Sequence, residues 1–502
     1  MPNFIPYYVY ERISRKEYTG NILGGKIFCD ISGFTSLTES LMAKGKEGAE
    51  EISQLLSSIF SPVAEFASTY NGFIANFAGD AFTLIFPQKS KTELFQLSSY
   101  VLSLMEKKIA EQEYPLGVRG WIAEGEIEWG IITEGETKKL YFKGKPLLEL
   151  GEIIKERAPP PPSHKSKEQK VPQEFQLYFV PEEILHFSSL GEFRYVVPVF
   201  VGFDETDENW KRTVKLGLRE AKFYGGYFNK VEFGDKGALF LVLFGAPTSY
   251  ENNISRAIEF ALSLKRQARV KIGIASGVAY TGILGGTQRC EYTAIGDTVN
   301  TSARLMEQAE WGEILVENKA QMEVRRSYSF SKAQEKKLKG KKEAVQFYLL
   351  IGSSPEPPEE WYARFIGRED EQNTILQWCA PLQKGESPHI LYIHGEPGIG
   401  KTRFVRETLR NIEGKPIYLQ PKEFSRRLFD PVIRASQELL QADPKFSQHK
   451  YEHADAIHFL LGMNNSRSSY ERLDPKAKFE VGILALTEFL LRATQNLSLI
   501  HI

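Results

Sequence analysis

The chain has 502 residues, of which 42% are hydrophobic and 25% charged, and its formal net charge is −1. This length indicates several domains, and this composition is ordinary for a globular protein. The balanced charge excludes a global attraction to nucleic acid or to an anionic membrane. Partners therefore have to be inferred from individual sites, and we expect no nucleic-acid partner.

The sequence predicts neither export nor a membrane span. Its most apolar run, Ala238–Phe244, is far shorter than the roughly 20 residues that a membrane helix needs. The N-terminus lacks a signal-peptide pattern. Cys29, Cys290 and Cys379 have no zinc-type spacing, and their odd number argues against a disulfide framework. We therefore expect a cytoplasmic protein.

The first informative stretch surrounds Asp30. Residues Lys26–Ile31 are typical of a buried strand, and Gly33 ends it before a helix that Thr35, Ser36 or Thr38 could cap. Asp30 is then placed at a strand end beside the free N–H groups of a new helix. Such a position can hold a hard cation together with the phosphate that the cation binds.

The next stretch places a second carboxylate at a strand end. Apolar residues at helical spacing between Leu37 and Tyr70 predict one long helix or two. Residues 70–86 are then typical of a β-hairpin with Gly79 and Asp80 at its turn. After it the sequence predicts a helix to about Glu113 and strands at Gly117–Ile132 and Lys139–Phe142.

A proline-rich linker at 158–174 separates this segment from a repeat of it. The repeat shows in glycines that recur at a constant offset of 152 residues: Gly125, Gly130 and Gly144 match Gly277, Gly282 and Gly296. We predict two copies of one α/β (α+β) domain with antiparallel sheets, at 20–157 and 190–352. Residues 175–187 could add a last strand to the first copy.

A further linker at 353–362 precedes a predicted P-loop NTPase domain at 363–502. Residues 389–394 are typical of a strand, and the glycine loop after them fits the P-loop pattern. Its expected phosphate and magnesium contacts are Gly395, Gly398, Gly400, Lys401 and Thr402. The alternative is an ordinary glycine turn. No acidic Walker B residue follows an apolar strand before Ile502, so we expect ATP binding without hydrolysis.

Together these motifs resemble the class III nucleotidyl cyclases, specifically the soluble adenylyl cyclase type, in which two cyclase homology domains precede an ATPase-like module. The resemblance covers about residues 20–352, and Phe365–Glu371 with the P-loop looks like the family's downstream AAA/STAND-like module. It implies two ferredoxin-like domains that pair as a pseudo-heterodimer within one chain, followed by a partial P-loop domain.

The resemblance assigns the metal site to the first copy. Asp30 and Asp80, with the backbone of Ile31, match the residues that hold two Mg²⁺ ions, for which Mn²⁺ is a plausible substitute. Phe34 and Thr35 are implied to contact the substrate.

The second copy is implied to supply the remaining groups. Lys230 and Thr293 match the residues that recognise the base, and Asn300 and Arg304 match the catalytic pair. Asn300 and Arg304 are four residues apart, so they point the same way on a helix. An arginine suits phosphoryl oxygens, and an asparagine can orient a ribose.

The two copies differ at these positions. Gly202 stands where the first copy has Asp30, and Leu148 and Glu152 stand where the second has Asn300 and Arg304. Neither copy is complete, so a full site is expected only between the two. Asp235, at the turn that matches Asp80, is predicted to be a turn former or a helper for Lys230, five residues earlier.

The sequence therefore predicts an adenylate cyclase that forms 3′,5′-cyclic AMP and pyrophosphate from ATP by a two-metal mechanism, with a second ATP at the P-loop. A guanylate cyclase and a catalytically silent nucleotide-sensing switch are the alternatives. Asn76 and the Gly151–Glu152 pair replace the basic residues that receive bicarbonate in the family, and a carboxylate would repel that anion. We therefore do not expect activation by bicarbonate.

Overall fold

The structure is a computed structural model that describes most of the chain. The described residues are 2–112, 114–155, 169–187, 191–234, 236–250, 252–337, 344–353, 365–381, 391–394, 399–410, 429–442, 445, 450–461, 463, 468–470 and 473–493. Asp235 lies outside them. The chain divides into two compact units, residues 1–358 and 359–502. Among the described helices, none is both long and apolar enough to cross a membrane.

The first half of unit 1 (residues 2–155) is a ferredoxin-like β-α-β-β-α-β arrangement. Its elements are α1 (Tyr7–Ser14), β1 (Thr19–Ser32), α2 (Phe34–Met42), α3 (Lys46–Thr69), β2 (Phe73–Ala78), β3 (Ala81–Pro87), α4 (Lys91–Ala110), β4 (Gly117–Glu134), β5 (Thr137–Lys143), α5 (Lys145–Leu148) and β6 (Glu152–Ile153). The sheet order is β2-β3-β1-β4-β5, and its pairs are antiparallel. The predicted helices, hairpin and two strands are confirmed.

Residues 169–187, between the halves, form α6 (Gln173–Gln176) and α7 (Glu182–Leu185). The last strand predicted for 175–187 is therefore wrong. Pro172 and Pro181 occupy the N-cap positions of these helices. A proline has a backbone angle that suits a helix start and has no N–H to give to a strand ladder.

The second half (residues 191–353) repeats the strand order of the first. Its elements are β7 (Glu192–Phe203), α8 (Trp210–Tyr224), β8 (Tyr227–Gly234), β9 (Gly237–Phe244), α9 (Asn253–Gln267), β10 (Val270–Ile274), β11 (Gly277–Gly285), β12 (Cys290–Ile295), α10 (Asp297–Gln308), β13 (Ile314–Glu317), α11 (Asn318–Val324), β14 (Tyr328–Phe330), β15 (Gln334–Lys336) and β16 (Val345–Ser353). The order is β8-β9-β7, with β10 and β11 together on the far side of β7 and β12 beyond β11.

One pair departs from the antiparallel prediction, because β10 and β13 run parallel. The α/β fold class is otherwise confirmed, whereas the domain boundaries themselves remain a prediction. The halves share apolar packing: Tyr280, Leu284 and Ile295 of the second half join the core formed by α2, α3 and α4 of the first.

The N-terminal segment binds both halves, a role that the sequence did not reveal. Phe4 packs in the core of the second half, and Ile5 and Val9 pack in that of the first. The side chain of Asn3, which is 1% exposed, donates to Gln169 O at 2.7 Å and accepts from Val171 N at 2.9 Å. Its backbone oxygen accepts from Cys290 N at 2.7 Å.

The regular secondary structure described in unit 2 is helical. It contains α12 (Glu369–Cys379), α13 (Lys401–Leu409), α14 (Asp430–Ala442), α15 (Ala454–Leu461) and α16 (Pro475–Ala493), and the last three pack around one apolar core. Residues 391–394 are not a strand, so that part of the predicted strand is wrong. Gly395 and Gly398 lie outside the described residues. Gly400 is the N-cap of α13, with φ 90°.

Asn3→Ala should lower the free energy of unfolding by about 1–3 kcal/mol, because it leaves the buried Val171 N–H without an acceptor. Urea unfolding followed by circular dichroism would measure the loss. Asn21→Ala, an exposed position on β1, is the matched control and should change stability little. Equal stability of the two variants would show that the segment is not anchored through Asn3.

Candidate active site

Asp30 lies near the end of β1, between β3 and β4. It is opposite Ala81 on β3 and Arg119 on β4. Two residues after the strand, α2 begins at Phe34, and its N-cap is Gly33 with φ 89°, a left-handed conformation that glycine adopts without strain. The prediction that a Ser or Thr caps this helix is therefore wrong. The free N–H groups of the α2 N-terminus do lie next to the end of the strand that carries Asp30.

Asp80 lies close to Asp30, at the tight turn between β2 and β3. Ile31 N donates to Asp80 O at 3.3 Å, so the turn is tied to the end of β1. Burial raises the pKa of Asp80 to about 6, and the nearby Asp30 carboxylate contributes to the rise. The fold therefore brings the two carboxylates predicted from the sequence to one place.

Arg119 is a residue of this site that sequence reasoning missed. Its Nη2 donates to Asp30 Oδ2 at 2.5 Å, and its guanidinium lies over the Trp121 ring. One signal could have found it: Lys271 stands at the matching position of the second half, at the same offset of 152 residues. A basic side chain therefore stands at the same position of both halves. It lies on the strand that pairs with β1 in the first half and on the strand that pairs with β7 in the second.

The donor set fits magnesium. Asp30, Asp80 and the carbonyl of Ile31 are oxygen donors, which hard cations prefer. The described residues contain no group of three or more His, Cys, Asp or Glu side chains that could hold a metal, so two carboxylates with backbone support are what this site offers. Two carboxylates close together repel each other, and a bound divalent cation would relieve that repulsion.

Asn300 and Arg304 reach the same region from α10 of the second half. Asn300 Nδ2 donates to Thr35 Oγ1 at 3.5 Å, a contact between the first turns of α10 and α2. Arg304 is half-buried and forms no hydrogen bond or ion pair with a described residue. Phe34 is 1% exposed, so only its backbone could meet a substrate.

The two predicted base-recognising residues have different surroundings. Lys230 Nζ lies 3.2 Å from Glu291 Oε1 and also donates to Phe77 O of the first half. Thr293 is buried, and its hydroxyl donates to Asn229 Oδ1 at 3.3 Å. The sequence did not single out Glu291, which lies two residues before Thr293 on β12.

A second site would need the second half to hold the metals and the first half to supply the catalytic pair. The positions equivalent to the site residues do not allow this. A Cβ on Gly202 would lie 2.8 Å from Met306 Sδ and 3.0 Å from Lys271 side-chain atoms, so no acidic side chain fits there without rearrangement. In the first half, the four-residue helix α5 stands where the second half has the twelve-residue α10. The described structure thus provides one set of site residues, divided between the halves.

A cavity of about 110 Å³ lies between the halves, with Asn76 and Lys139 in its wall. Lys139 is buried, which lowers its pKa to about 8, and its ammonium donates to Phe179 O and Asn229 O at 3.0 and 3.3 Å. Glu152 pairs with Lys91 at the surface. Insensitivity to bicarbonate stays a prediction.

Comparison with known proteins identifies two domains. Residues 229–352 match the family described as the adenylate and guanylate cyclase catalytic domain, and residues 364–496 match the AAA ATPase domain. The chain contains a class III cyclase domain followed by an AAA ATPase domain. The resemblance inferred from the motifs is thereby confirmed at the level of the family.

Curated adenylate cyclases and a solved cyclase structure are similar to parts of this chain. Adenylate cyclase type 10 of Rattus norvegicus is 24% identical over 81% of this chain and 32% of its own length. The type 10 enzyme of Homo sapiens is 23% identical over 78% and 31%. The chain thus spans about a third of the length of these relatives. The adenylyl cyclase CyaB of P. aeruginosa resembles 34% of the chain and 99% of its own structure, at 20% identity and a TM-score of 0.30.

Asp80→Asn should stabilise the metal-free protein. When folding raises the pKa of a carboxyl group, its ionised form lowers the free energy of unfolding. The loss is complete above the folded-state pKa and absent below the unfolded-state pKa. The variant should therefore gain about 1–3 kcal/mol in the free energy of unfolding at about pH 7.5 and less at about pH 5. Urea unfolding in EDTA at both pH values would measure this gain.

Asp204→Asn is the control with the opposite sign. Asp204 accepts hydrogen bonds from Thr206, which lower its pKa, so its loss should not stabilise the protein. A gain at Asp80 that does not change between the two pH values would contradict the electrostatic explanation.

Proposed function

We propose that unit 1 is an adenylate cyclase that converts ATP to 3′,5′-cyclic AMP and pyrophosphate at the interface of its two halves. The observation that carries the proposal is the contact between Asn300 and Thr35. It brings the helix that bears Arg304 to the start of the helix that follows Asp30, so the acidic and the basic parts of one site face each other. The match to the cyclase family and the names of the relatives support this function.

The first half would hold the metals and the phosphates. Asp30, Asp80 and the Ile31 carbonyl would bind two Mg²⁺ ions, which when bound would acidify the ribose 3′-hydroxyl and neutralise charge on the departing pyrophosphate. In the structure, Arg119 is paired with the Asp30 carboxylate. If a metal ion neutralised Asp30 instead, the exposed guanidinium of Arg119 would be suited to binding phosphate oxygens. The free N–H groups at the start of α2 would bind the same phosphate oxygens.

The second half would supply the groups that act on the sugar, the α-phosphate and the base. Asn300 can orient the ribose so that its O3′ lies in line with the α-phosphorus. The 3′-hydroxyl gives up its proton to solvent as the new O3′–P bond forms and the bond to pyrophosphate breaks. Charge then grows on the α-phosphate oxygens, and Arg304 can stabilise it. Its guanidinium is available because no described residue uses it. Lys230 would donate to a ring nitrogen of adenine.

The two alternatives predict different measurements. A guanylate cyclase would prefer GTP, for which a donor such as Lys230 is poorly matched at the N1–H of guanine. A silent switch would bind nucleotide without turnover.

We further propose that the AAA ATPase domain binds a second ATP at the loop that ends in Gly400 and Lys401, where α13 begins.

Asp30→Ala and Asp80→Ala should each abolish cyclic AMP formation while ATP and Mg²⁺ are in excess, because each removes a ligand of the metal pair. The measurement is cyclic nucleotide formed from ATP and from GTP, with magnesium and with manganese. Asp207→Ala, an exposed position after β7, should keep the wild-type rate. Wild-type protein that forms no cyclic nucleotide, or a folded Asp80→Ala that remains active, would overturn the proposal.

Arg304→Ala should lower kcat by about 100- to 1,000-fold and change the KM for ATP much less, because Arg304 acts on charge that develops in the transition state. Steady-state kinetics with ATP would separate the two constants. Arg212→Ala, an exposed arginine on α8, is the matched control. A rise in KM with an unchanged kcat would instead assign Arg304 to ground-state binding.

A further inference from the structure

The helix that bears Asn300 and Arg304 lies with its backbone directly on the sheet of the second half. A Cβ on Gly273 of β10 would be 2.2 Å from Ser302 O and 2.3 Å from Met306 N of α10. The helix can therefore lie at this depth only because residue 273 is a glycine. The distance between α10 and β10 is set by backbone contact rather than by side chains that could move aside.

Ser302 anchors α10 to this sheet by hydrogen bonding. Its side chain is fully buried, and its hydroxyl lies 2.8 Å from both Pro198 O on β7 and Gly273 O on β10. A serine hydroxyl has one hydrogen, which it shares between these two carbonyl oxygens. On this side, β7 pairs with β11 up to Val196 and with β10 from Val199. The hydroxyl thus bonds to the sheet where β7 changes partner.

Helix geometry makes this anchor set the direction of the two proposed site residues. Successive residues of an α-helix are about 100° apart around its axis, because one turn takes about 3.6 residues. Asn300 and Arg304 are each two residues from Ser302, so both point about 160° away from it. With Ser302 facing the sheet, they are directed away from the sheet and toward the first half, where Asn300 contacts Thr35.

A small rotation of α10 would matter for chemistry. If the helix turned by about 10°, a side-chain group about 6 Å from its axis would move by about 1 Å. A misplacement of about 1 Å can lower a rate by about 100-fold. Apolar contacts have no preferred direction, whereas a hydrogen bond does. The Ser302 hydroxyl therefore restricts a rotation that apolar packing alone would tolerate.

We propose that Ser302 is a positioning residue for transition-state stabilisation, which fixes the rotation of α10 about its axis and thereby directs Arg304 at the α-phosphate. This inference rests on the proposed function, because that function assigns Arg304 to the α-phosphate. Ser302 itself faces the sheet and touches no reacting atom. It acts through Arg304 and, to a smaller extent, through Asn300.

The main test is Ser302→Ala, which removes the hydroxyl and keeps a good helix former. We expect kcat for ATP to fall about 10- to 50-fold while KM changes less than about twofold, because Arg304 acts on charge that develops in the transition state. Ser302→Cys keeps a weaker donor and should recover part of kcat. Ser98→Ala is the matched control and should keep the wild-type kcat. Ser98 is also fully buried, and it donates to Phe95 O at 2.8 Å on α4, a helix that carries none of the proposed site residues.

A double-mutant cycle separates positioning from a purely structural role. Because Ser302 acts mainly through Arg304, Ser302→Ala should lower kcat by less than about threefold in an Arg304→Ala background. A structural role would lower the fraction of active protein, and hence kcat, by the same factor in both backgrounds. An equal factor in the two backgrounds, or an unchanged kcat in folded Ser302→Ala, would overturn the inference.

Cysteine cross-linking tests the direction of α10 without turnover. Asn300 Nδ2 and Thr35 Oγ1 are 3.5 Å apart, so a protein with both Thr35→Cys and Asn300→Cys should form a disulfide when oxidised glutathione is the oxidant. Disulfide geometry is specific, so adding Ser302→Ala should slow the cross-link by about threefold or more. Adding Ser98→Ala should not change its rate. An unchanged rate with Ser302→Ala would contradict a role in fixing the rotation.

The two measurements keep this inference distinct from the proposed function. Wild-type protein that forms no cyclic nucleotide would defeat the proposed function, while the cross-linking rate would still decide whether Ser302 fixes the rotation of α10. If Ser302→Ala fails to fold, Ser302→Cys replaces it in the kinetic test and in the cycle, with the same expected direction and the same contradicting outcomes.

Discussion

The repulsion between two carboxylates is the constraint on which this site depends. Asp30 and Asp80 come together because Ile31 N binds Asp80 O and because β1 and β3 pair up to Asp30 and Ala81. Nothing in the packing requires acidic side chains there, and the raised pKa of Asp80 shows what they cost. Arg119 offsets part of that cost from β4. A divalent cation bound between the carboxylates would relieve the repulsion that remains, and a metal–nucleotide complex is the partner that the proposed function supplies.

Although the two halves of unit 1 share one fold, they do not provide two sets of site residues. In the second half the space beside Gly202 is occupied by Met306 and Lys271, so the apolar and cationic side chains there replace the acidic ones. In the first half α5 is too short to present residues as α10 does. Both changes leave the strand order intact, because they lie at strand ends and in a connecting helix rather than in the sheet. Loss of chemistry at one pairing is thus compatible with a fully retained fold.

The parts of the fold that sequence could predict are those set by short-range patterns. Apolar spacing predicted α2 and α3, the turn at Gly79 and Asp80 predicted the β2–β3 hairpin, and the glycine offset predicted a repeated strand order. What it missed depends on register between distant strands. Arg119 meets Asp30 only because β4 pairs with β1, and Glu291 meets Lys230 only because β8 and β12 approach each other within the second half. The strand predicted at 175–187 was wrong for a local reason, since an apolar stretch that follows prolines can begin a helix as easily as a strand.

The proposed role of Lys230 in recognising the base would link assembly of the halves to the choice of substrate. Its ammonium is shared between Phe77 O of the first half and Glu291 of the second, so neither half alone fixes it. Arg289 makes the same link beside it, through Ile74 O and Ala75 O. If the halves shifted relative to each other, Lys230 would lose one of its two partners before the proposed metal ligands, which all belong to the first half, were disturbed. Base selection should therefore be more sensitive to the interface than metal binding is, and covalent linkage of the halves, which keeps their effective concentration high, protects the more sensitive of the two.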